Sequence, residues 1–537
     1  MKKLMVLALM ATLLMAGSAF AVNRTSSLKP VPNATFQFGA PGVAFGPTTT
    51  NNDDSCDIGV APAATLLLPY FEVDTTNRTT TTLFTITNVS RLPQIAHVSV
   101  WTDWSFPVLD FNIFLTGYDV QPINLMDILT TGTVGSSAGT GPTTAQSPIG
   151  TLSGTSGGFG GFTNPNFTPT INCGNLPGVL PSALVAAVRS ALTTGVYNPG
   201  PGLACSSTVG GTHANAIGYI TIDVASNCST RLPTEAGYFT SDVLFDNVLI
   251  GDYQQLGPAA NGTTASSFDG AGNAMVHIRA IPEGGGAGST PGTNLPYTFY
   301  DRYTHSTLDR RQPLPSTWAA RYIQGGAGAF ATNYKIWREG FGTGACGSSL
   351  ALNGALPVSE IVRFDERENP FTFGTGQNCS PCIPGQTTMP ETSAQNTTSS
   401  NFPTLTGTDV GGWMYLNLNN GGSSAYTVTR NVGGVLTPSS TPGGLAPAGG
   451  TTTAGPRPSQ NWVIVEMFGS VGANRLSVDF DAAWLGNGCS PAAFLSTATS
   501  AGTVPIGPAG GILVCPPGTT TTQTSTLCTG TNTTPLP

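Results

Sequence analysis

The sequence predicts an all-β fold, mainly antiparallel, built as β-sandwich-like double sheets with long Gly/Ser/Thr-rich loop inserts and one short helix near 182–192. Three observations carry that reading. Segments rich in Val, Ile, Thr, Phe and Tyr recur between turn residues, several with period-two alternation. Charged residues are only 9% of the chain, whereas bundles and coiled coils need Glu, Lys and Arg on their solvent faces. Glycine and proline, 68 and 42 of the 537 residues, punctuate the whole length. Hydrophobic residues still reach 39%, enough to core one or two domains.

The chain opens with Lys2 and Lys3, an apolar run from Leu4 to Ala16 broken only by Thr12, and small residues at Ala19 and Ala21. Residues 1–21 are therefore expected to be a secretory signal peptide. The run is shorter than the roughly 18 to 20 residues a spanning helix needs, and no later segment is longer, so no transmembrane span is expected in the mature chain. The expected location is secreted, periplasmic or at the cell surface. Ten cysteines, Cys56, Cys173, Cys205, Cys228, Cys346, Cys379, Cys382, Cys489, Cys515 and Cys528, then read as disulfide candidates, an even set in an oxidising compartment. Cys379 and Cys382 have redox spacing, but no strand leads into their Gly/Pro loop and no helix follows, so a structural role is expected.

Residues 22–60 form an N-terminal extension without sustained period. A first β-rich half, 61–283, starts with strands at 65–73 and 79–89. Segment 95–104 alternates, with Val98, Val100 and Thr102 on one face and His97, Ser99, Trp101 and Asp103 on the other. Segment 109–115 alternates likewise, and the short link Ser105-Phe106-Pro107 predicts a hairpin. One apolar and one mixed face predict a sheet packed on one side. Residues 135–170 are a Gly/Ser/Thr insert too poor in large side chains to offset its ordering entropy. Leu184, Val185, Val188 and Leu192 then stand at helical spacing behind Pro181 and Ser182. Strands follow at 217–224, 243–250 and 275–281. Residues 283–294 (EGGGAGSTPGTN) read as a linker.

A second half, 295–490, carries expected strands at 297–303, 333–338, 360–364, 413–419, 462–468 and 475–481, with Thr/Ser/Pro-rich inserts near 386–408 and 436–459. It stands as its own domain or completes the sheets of the first half. Residues 491–537 form a low-complexity, Thr-rich tail. Val108-Leu109-Asp110-Phe111 resembles Ser477-Val478-Asp479-Phe480, but four residues do not establish a duplication. An outer-membrane barrel would need even strands of about ten residues and aromatic girdles, which these uneven strands lack.

The ionisable chemistry is sparse. Both G-x-S-x-G matches, at 135–139 and 154–158, fall in the Gly/Ser insert without the strand and helix that strain a nucleophile elbow. Gly342-x-Gly344-x-x-Gly347 has no helix behind it and reads as a loop. The histidines, His97, His213, His277 and His305, show no zinc spacing, so no metal site and no cofactor are expected. Structural calcium at Asn51-Asn52-Asp53-Asp54 with Asp57 is the one ion left open, against the plainer reading of a solvated acidic turn. A formal net charge of −8 argues against nucleic acid, whose affinity comes from neutralising phosphates.

Two clusters gather the remaining groups. Trp101, Asp103, Asp110 and Asn112 lie on the early hairpin, where a ring stacks on a sugar face while acids accept its hydroxyls, or where a covering layer buries them. Residues 297–322 interleave aromatics with Arg302, His305, Arg310, Arg311 and Trp318, a mixture that suits an anionic or sugar ligand and equally an internal Arg–carboxylate network. The expected function is a non-catalytic exported protein of the envelope or extracellular space that binds carbohydrate or another surface polymer. The alternatives are a secreted carbohydrate-active hydrolase using Asp103 and Asp110 as a carboxylate pair, and a structural surface-layer or fibre subunit.

Overall fold

A computed structural model of the chain describes residues 58–134, 180–257, 272–283, 298–300, 309–340, 356–371, 388–403, 410–418 and 459–485, with short gaps inside several spans, and a few residues and strand pieces elsewhere. The expected signal peptide, residues 51–57, both G-x-S-x-G matches, residues 342–347 and the Cys379–Cys382 loop lie outside the described residues. Of the ten cysteines only Cys205 has a described side chain, half-buried against the core.

Nine strands form a first unit: β1 (Thr65–Val73), β2 (Thr81–Asn88), β3 (Gln94–Thr102), β4 (Pro107–Leu115), β5 (Val120–Asn124), β6 (Ala216–Ala225), β7 (Leu249–Leu256), β8 (Gly272–Ala274) and β9 (Val276–Ile278). They pair antiparallel as a five-stranded sheet, β4-β3-β6-β1-β9, and a four-stranded sheet, β5-β2-β7-β8. Pro69 sits inside β1 because the register with β6 shifts between Leu68 and Phe71, a bulge that relaxes the demand for a ladder N–H. Helix α2 (Ser182–Thr194) confirms the helical spacing and stops at Gly195, whose φ of 70° and N–H to Ala191 close the last turn. A shorter helix, α1 (Leu125–Thr131), was not expected. It follows β5 directly, capped by Asn124 Oδ1 accepting the Met126 N–H, and is too short to display a period.

Two strand expectations shift. The run 243–250 does not extend as one strand: Val243 bridges Ala225, the N–H groups of Val248 and Leu249 both turn to the Ala63 carbonyl, and β7 starts only at Leu249. Phe299, Tyr300 and Tyr303 belong to a turn rather than a strand, and the strand lies further on at Thr317–Ile323.

The second unit runs through β10 (Thr317–Ile323), β11 (Ala331–Arg338), β12 (Leu356–Pro357), β13 (Glu360–Asp365), β14 (Pro370–Phe371), β15 (Thr388–Met389), β16 (Thr392–Asn396), β17 (Gly411–Asn417), β18 (Thr427–Arg430), β19 (Leu436–Pro438), β20 (Thr453–Pro456), β21 (Asn461–Val471), β22 (Asn474–Asp481) and β23 (Ala483–Trp484). Its main sheets are β14-β13-β17-β10-β23 and β16-β11-β21-β22; β12 pairs β15, and β18 to β20 form a small separate sheet. Set those five short strands aside, and the two units coincide strand for strand in chain order.

The registers coincide as well. Thr65 faces Asp223 where Thr317 faces Asn417, and Trp101 faces Tyr219 where Phe364 faces Trp413. The β3–β4 and β13–β14 turns are the same turn. Thr102 Oγ1 accepts the N–H groups of Trp104 and Phe106, and Asp365 Oδ1 accepts those of Arg367 and Asn369. Ser105 and Glu368 take the left-handed position at φ 55° and 65°, and each turn ends on a proline, Pro107 or Pro370. Thr82 and Thr332 both exchange hydrogen bonds with one residue of the preceding strand, Glu72 and Ile323. The chain therefore contains one nine-stranded sandwich twice. The likeness between 108–111 and 477–480 is not its trace, since those residues lie on β4 and β22, which are not counterparts.

The sheets pack on one another. β1 touches β2 and β7 as well as β11 and β16, β10 lies on β11 and β21, and β8 meets β22. β2 alternates half-buried and buried positions, as one-sided packing demands, but β3 is buried at every residue. The one-sided sheet expected for the early hairpin is thus covered on both faces, and a single hydrophobic cluster runs through both units.

Candidate functional site

The face of the first five-stranded sheet that meets the second unit carries Thr65, His97, Trp101, Tyr219 and Asp223, and members of both sequence clusters meet there, Trp101 and Asn112 from the first and Arg311 from the second. Asp223 and Arg311 are wholly buried, with Arg311 Nε 3.2 Å from Asp223 Oδ1 and Nη1 2.8 Å from Asp309 Oδ1. Tyr238 and Tyr300 donate to Asp223 Oδ2 at 2.6 and 2.7 Å, and Thr65 donates to Oδ1. Burial, then the Asp223 charge, push both phenols well above their ordinary pKa. Burial alone lowers the pKa of Arg311, but Asp223 and Asp309 overcome it and raise it. This is the internal Arg–carboxylate network among the sequence alternatives.

The remaining predicted residues are placed as follows. Arg310 is buried with its guanidinium 4.4 Å from the Phe245 ring centre. Trp318 is buried inside the second unit, edge-on to Trp462 at 5.0 Å and bonded through Nε1 to Asn461. Arg302 and His305 lie outside the described residues. Asp103 is buried with both oxygens engaged, Oδ1 by the Gly211 N–H at 2.9 Å and Oδ2 by His213 Nε2 at 3.0 Å. Asn112 is buried against His97. Burial pushes Asp110 up to about 6. Among the described residues, no group of three or more His, Cys, Asp or Glu is placed to hold a metal, and no helix is long and apolar enough to cross a membrane.

Trp101 explains what this surface does. Its ring stacks with two near-parallel neighbours, Tyr219 at 5.6 Å and Tyr303 at 5.8 Å, and its Nε1 donates to Thr221. The turn around Tyr300 and Tyr303 thus lays a flat ring on the Trp101 face.

The second unit repeats the pair. Phe364 and Trp413, the counterparts of Trp101 and Tyr219, are parallel within 8° at 4.1 Å and only half-buried. Among the described residues no third ring takes the place of Tyr303. Arg321, exposed, is in register beside Trp413, and Pro370 beside Phe364, so the row crosses four strands. The exposed turn residues Glu366, Arg367, Glu368 and Asn369 border it. The support beneath is rigid. Arg363 lies 4.3 Å over the Tyr322 ring and donates to Thr397, Pro403 and Gln324, while the Tyr322 hydroxyl donates to the Phe364 carbonyl at 2.8 Å. Gly412 is obligatory, since a Cβ there would stand 2.0 Å from the Phe364 carbonyl, as one on Gly218 would from that of Trp101.

Sequence reasoning missed this row. Phe364 ends the strand expected at 360–364 and Trp413 opens the one expected at 413–419, and neither ring falls in the two clusters singled out. The available signal was Gly412-Trp413-Met414 set against Gly218-Tyr219-Ile220. No family model, no curated protein and no solved structure matches the chain.

Proposed function

We propose that this chain is an exported β-protein of the cell envelope or extracellular space that acts by binding a carbohydrate or comparable surface polymer on the Phe364–Trp413 row. The observation that carries the reading is the duplicated aromatic pair: covered by Tyr303 in the first unit, half-buried and without a third ring among the described residues in the second. A pyranose presents an apolar C–H face of ring size, and the Arg321, Glu366 and Asn369 side chains at the border are donors and acceptors for its hydroxyls. A binding role is favoured over hydrolysis because both oxygens of Asp103 are committed to internal partners. The leader-like N-terminus and charge-poor composition support export.

A glycan array and polysaccharide pull-down on the purified mature chain test it. Binding is expected, weakened about tenfold or more by Trp413→Ala or Phe364→Ala. Absence of binding to every polysaccharide and envelope fraction, or binding indifferent to both substitutions, overturns it.

A further inference from the structure

Lys335 on β11, Glu466 on β21 and Asp479 on β22 project from one face of the second four-stranded sheet, because Asn333 pairs Glu466 and Glu466 pairs Asp479. Lys335 is the only lysine among the described residues, and its side chain is 2% exposed. Its Nζ lies 2.7 Å from Asp479 Oδ2, on a side chain of 0% exposure, and 3.2 Å from Glu466 Oε1. Asn333 Nδ2 fixes the other Glu466 oxygen at 3.0 Å, and Tyr253 of the first unit donates to Asp479 Oδ2 at 3.3 Å. Asp479 Oδ1 is buried without a partner among the described residues.

A structural ion pair needs one acid. Here a second carboxylate touches the same ammonium, and the fold does not require the set: the counterpart positions in the first unit are Thr85, Gln254 and Gly272. What the arrangement supplies is a nucleophile and an electrophilic carboxyl, buried in contact, with a partly exposed proton carrier beside them. Burial raises the pKa of Asp479 against the opposing pull of the Lys335 charge.

We propose that Lys335 and Asp479 become joined by an isopeptide bond that forms unaided in the folded chain, with Glu466 carrying the proton. After proton transfer within the pair, the Lys335 Nζ lone pair attacks Asp479 Cγ. Glu466 takes the proton shed by nitrogen and returns it to the departing hydroxyl. One C–N bond forms, one C–O bond breaks, one water leaves, and no atom changes oxidation state. Held contact of this kind replaces activation by a co-reactant, since well-oriented groups reach effective concentrations of about 10⁵ M and above. The product ties β11 to β22 across β21.

Mass spectrometry of the purified mature chain, disulfides reduced and the protein unfolded, tests it. The expected mass is that of the mature sequence less one water, with a branched proteolytic peptide joining the Lys335 and Asp479 segments. Asp479→Asn should give the same branched peptide with loss of ammonia instead. Glu466→Gln and Lys335→Arg, both near-isosteric, should fold with unchanged circular dichroism and show no branch. An unbranched native chain whose Lys335 is freely acetylated after unfolding overturns the bond. A branch forming at the native rate in Glu466→Gln overturns the role given to Glu466.

Discussion

Replacing Arg311 with methionine keeps most of the volume at the junction of the two units and removes only the cation. Two carboxylates then remain at 0% exposure. Breaking a buried pair from one side costs about 3–5 kcal/mol, because the partner charge stays desolvated. Here the loss is held to that single-pair range. Asp309 keeps three backbone N–H groups, from Tyr300, Arg310 and residue 311, at 3.1, 2.8 and 3.2 Å. Asp223 keeps the hydroxyls of Tyr238, Tyr300 and Thr65. Urea unfolding followed by near-UV circular dichroism should show the midpoint falling by about 1 M or more. Adding Asp223→Asn, the residue at the counterpart position 417, should recover about half the loss, because neighbouring members of one network are not additive. A midpoint within error of the parent, or strictly additive single effects, would refute the view that the network anchors Tyr300, Asp309 and Arg311 to the first unit.

Equivalent aromatics should differ in cost. Trp101→Ala is expected to destabilise by about 3–5 kcal/mol and Trp413→Ala by about 1 kcal/mol, compared by the same unfolding assay, because only the first ring is enclosed. Asp110 binds its proton more tightly folded than unfolded, its pKa being about 6 against an ordinary 3.8. Its contribution is therefore present below pH 3.8 and is lost as pH rises to about 6. Asp110→Asn should gain up to about 3 kcal/mol over the parent above that window and nothing below it, measured as thermal midpoints across pH.

Much of the fold is readable where side chains alternate. β3, β4 and the hairpin between them follow from period two and a proline turn, and α2 from Val185, Val188 and Leu192. β10 is not readable, because Thr317–Ile323 mixes Trp, Arg and Tyr in a stretch dense with charge, and its strand character comes from pairing β17. β16 is concealed in a Thr/Ser-rich stretch for the same reason. The duplication escapes sequence reading because strand order is a long-range property. What survives of it locally are residues the backbone requires: Thr82 and Thr332, Pro107 and Pro370, Gly218 and Gly412. The site residues divide likewise. Sequence finds the groups that carry charge and rings, yet whether Trp101 or Phe364 meets solvent depends on which sheet lies above it.

The contact between the units joins unlike surfaces, a five-stranded face to a four-stranded one, and so has no twofold axis. Fragments cleaved between residues 283 and 297 would complement each other but not themselves, each holding one half of a lock. Tethering turns that bimolecular encounter into an intramolecular one at millimolar effective concentration. It also ends the interchangeability of the copies: a carboxylic residue, Asp223, stands where its sheet is met by Arg311, an amide, Asn417, at the matching place, and rank in the stack is written into composition.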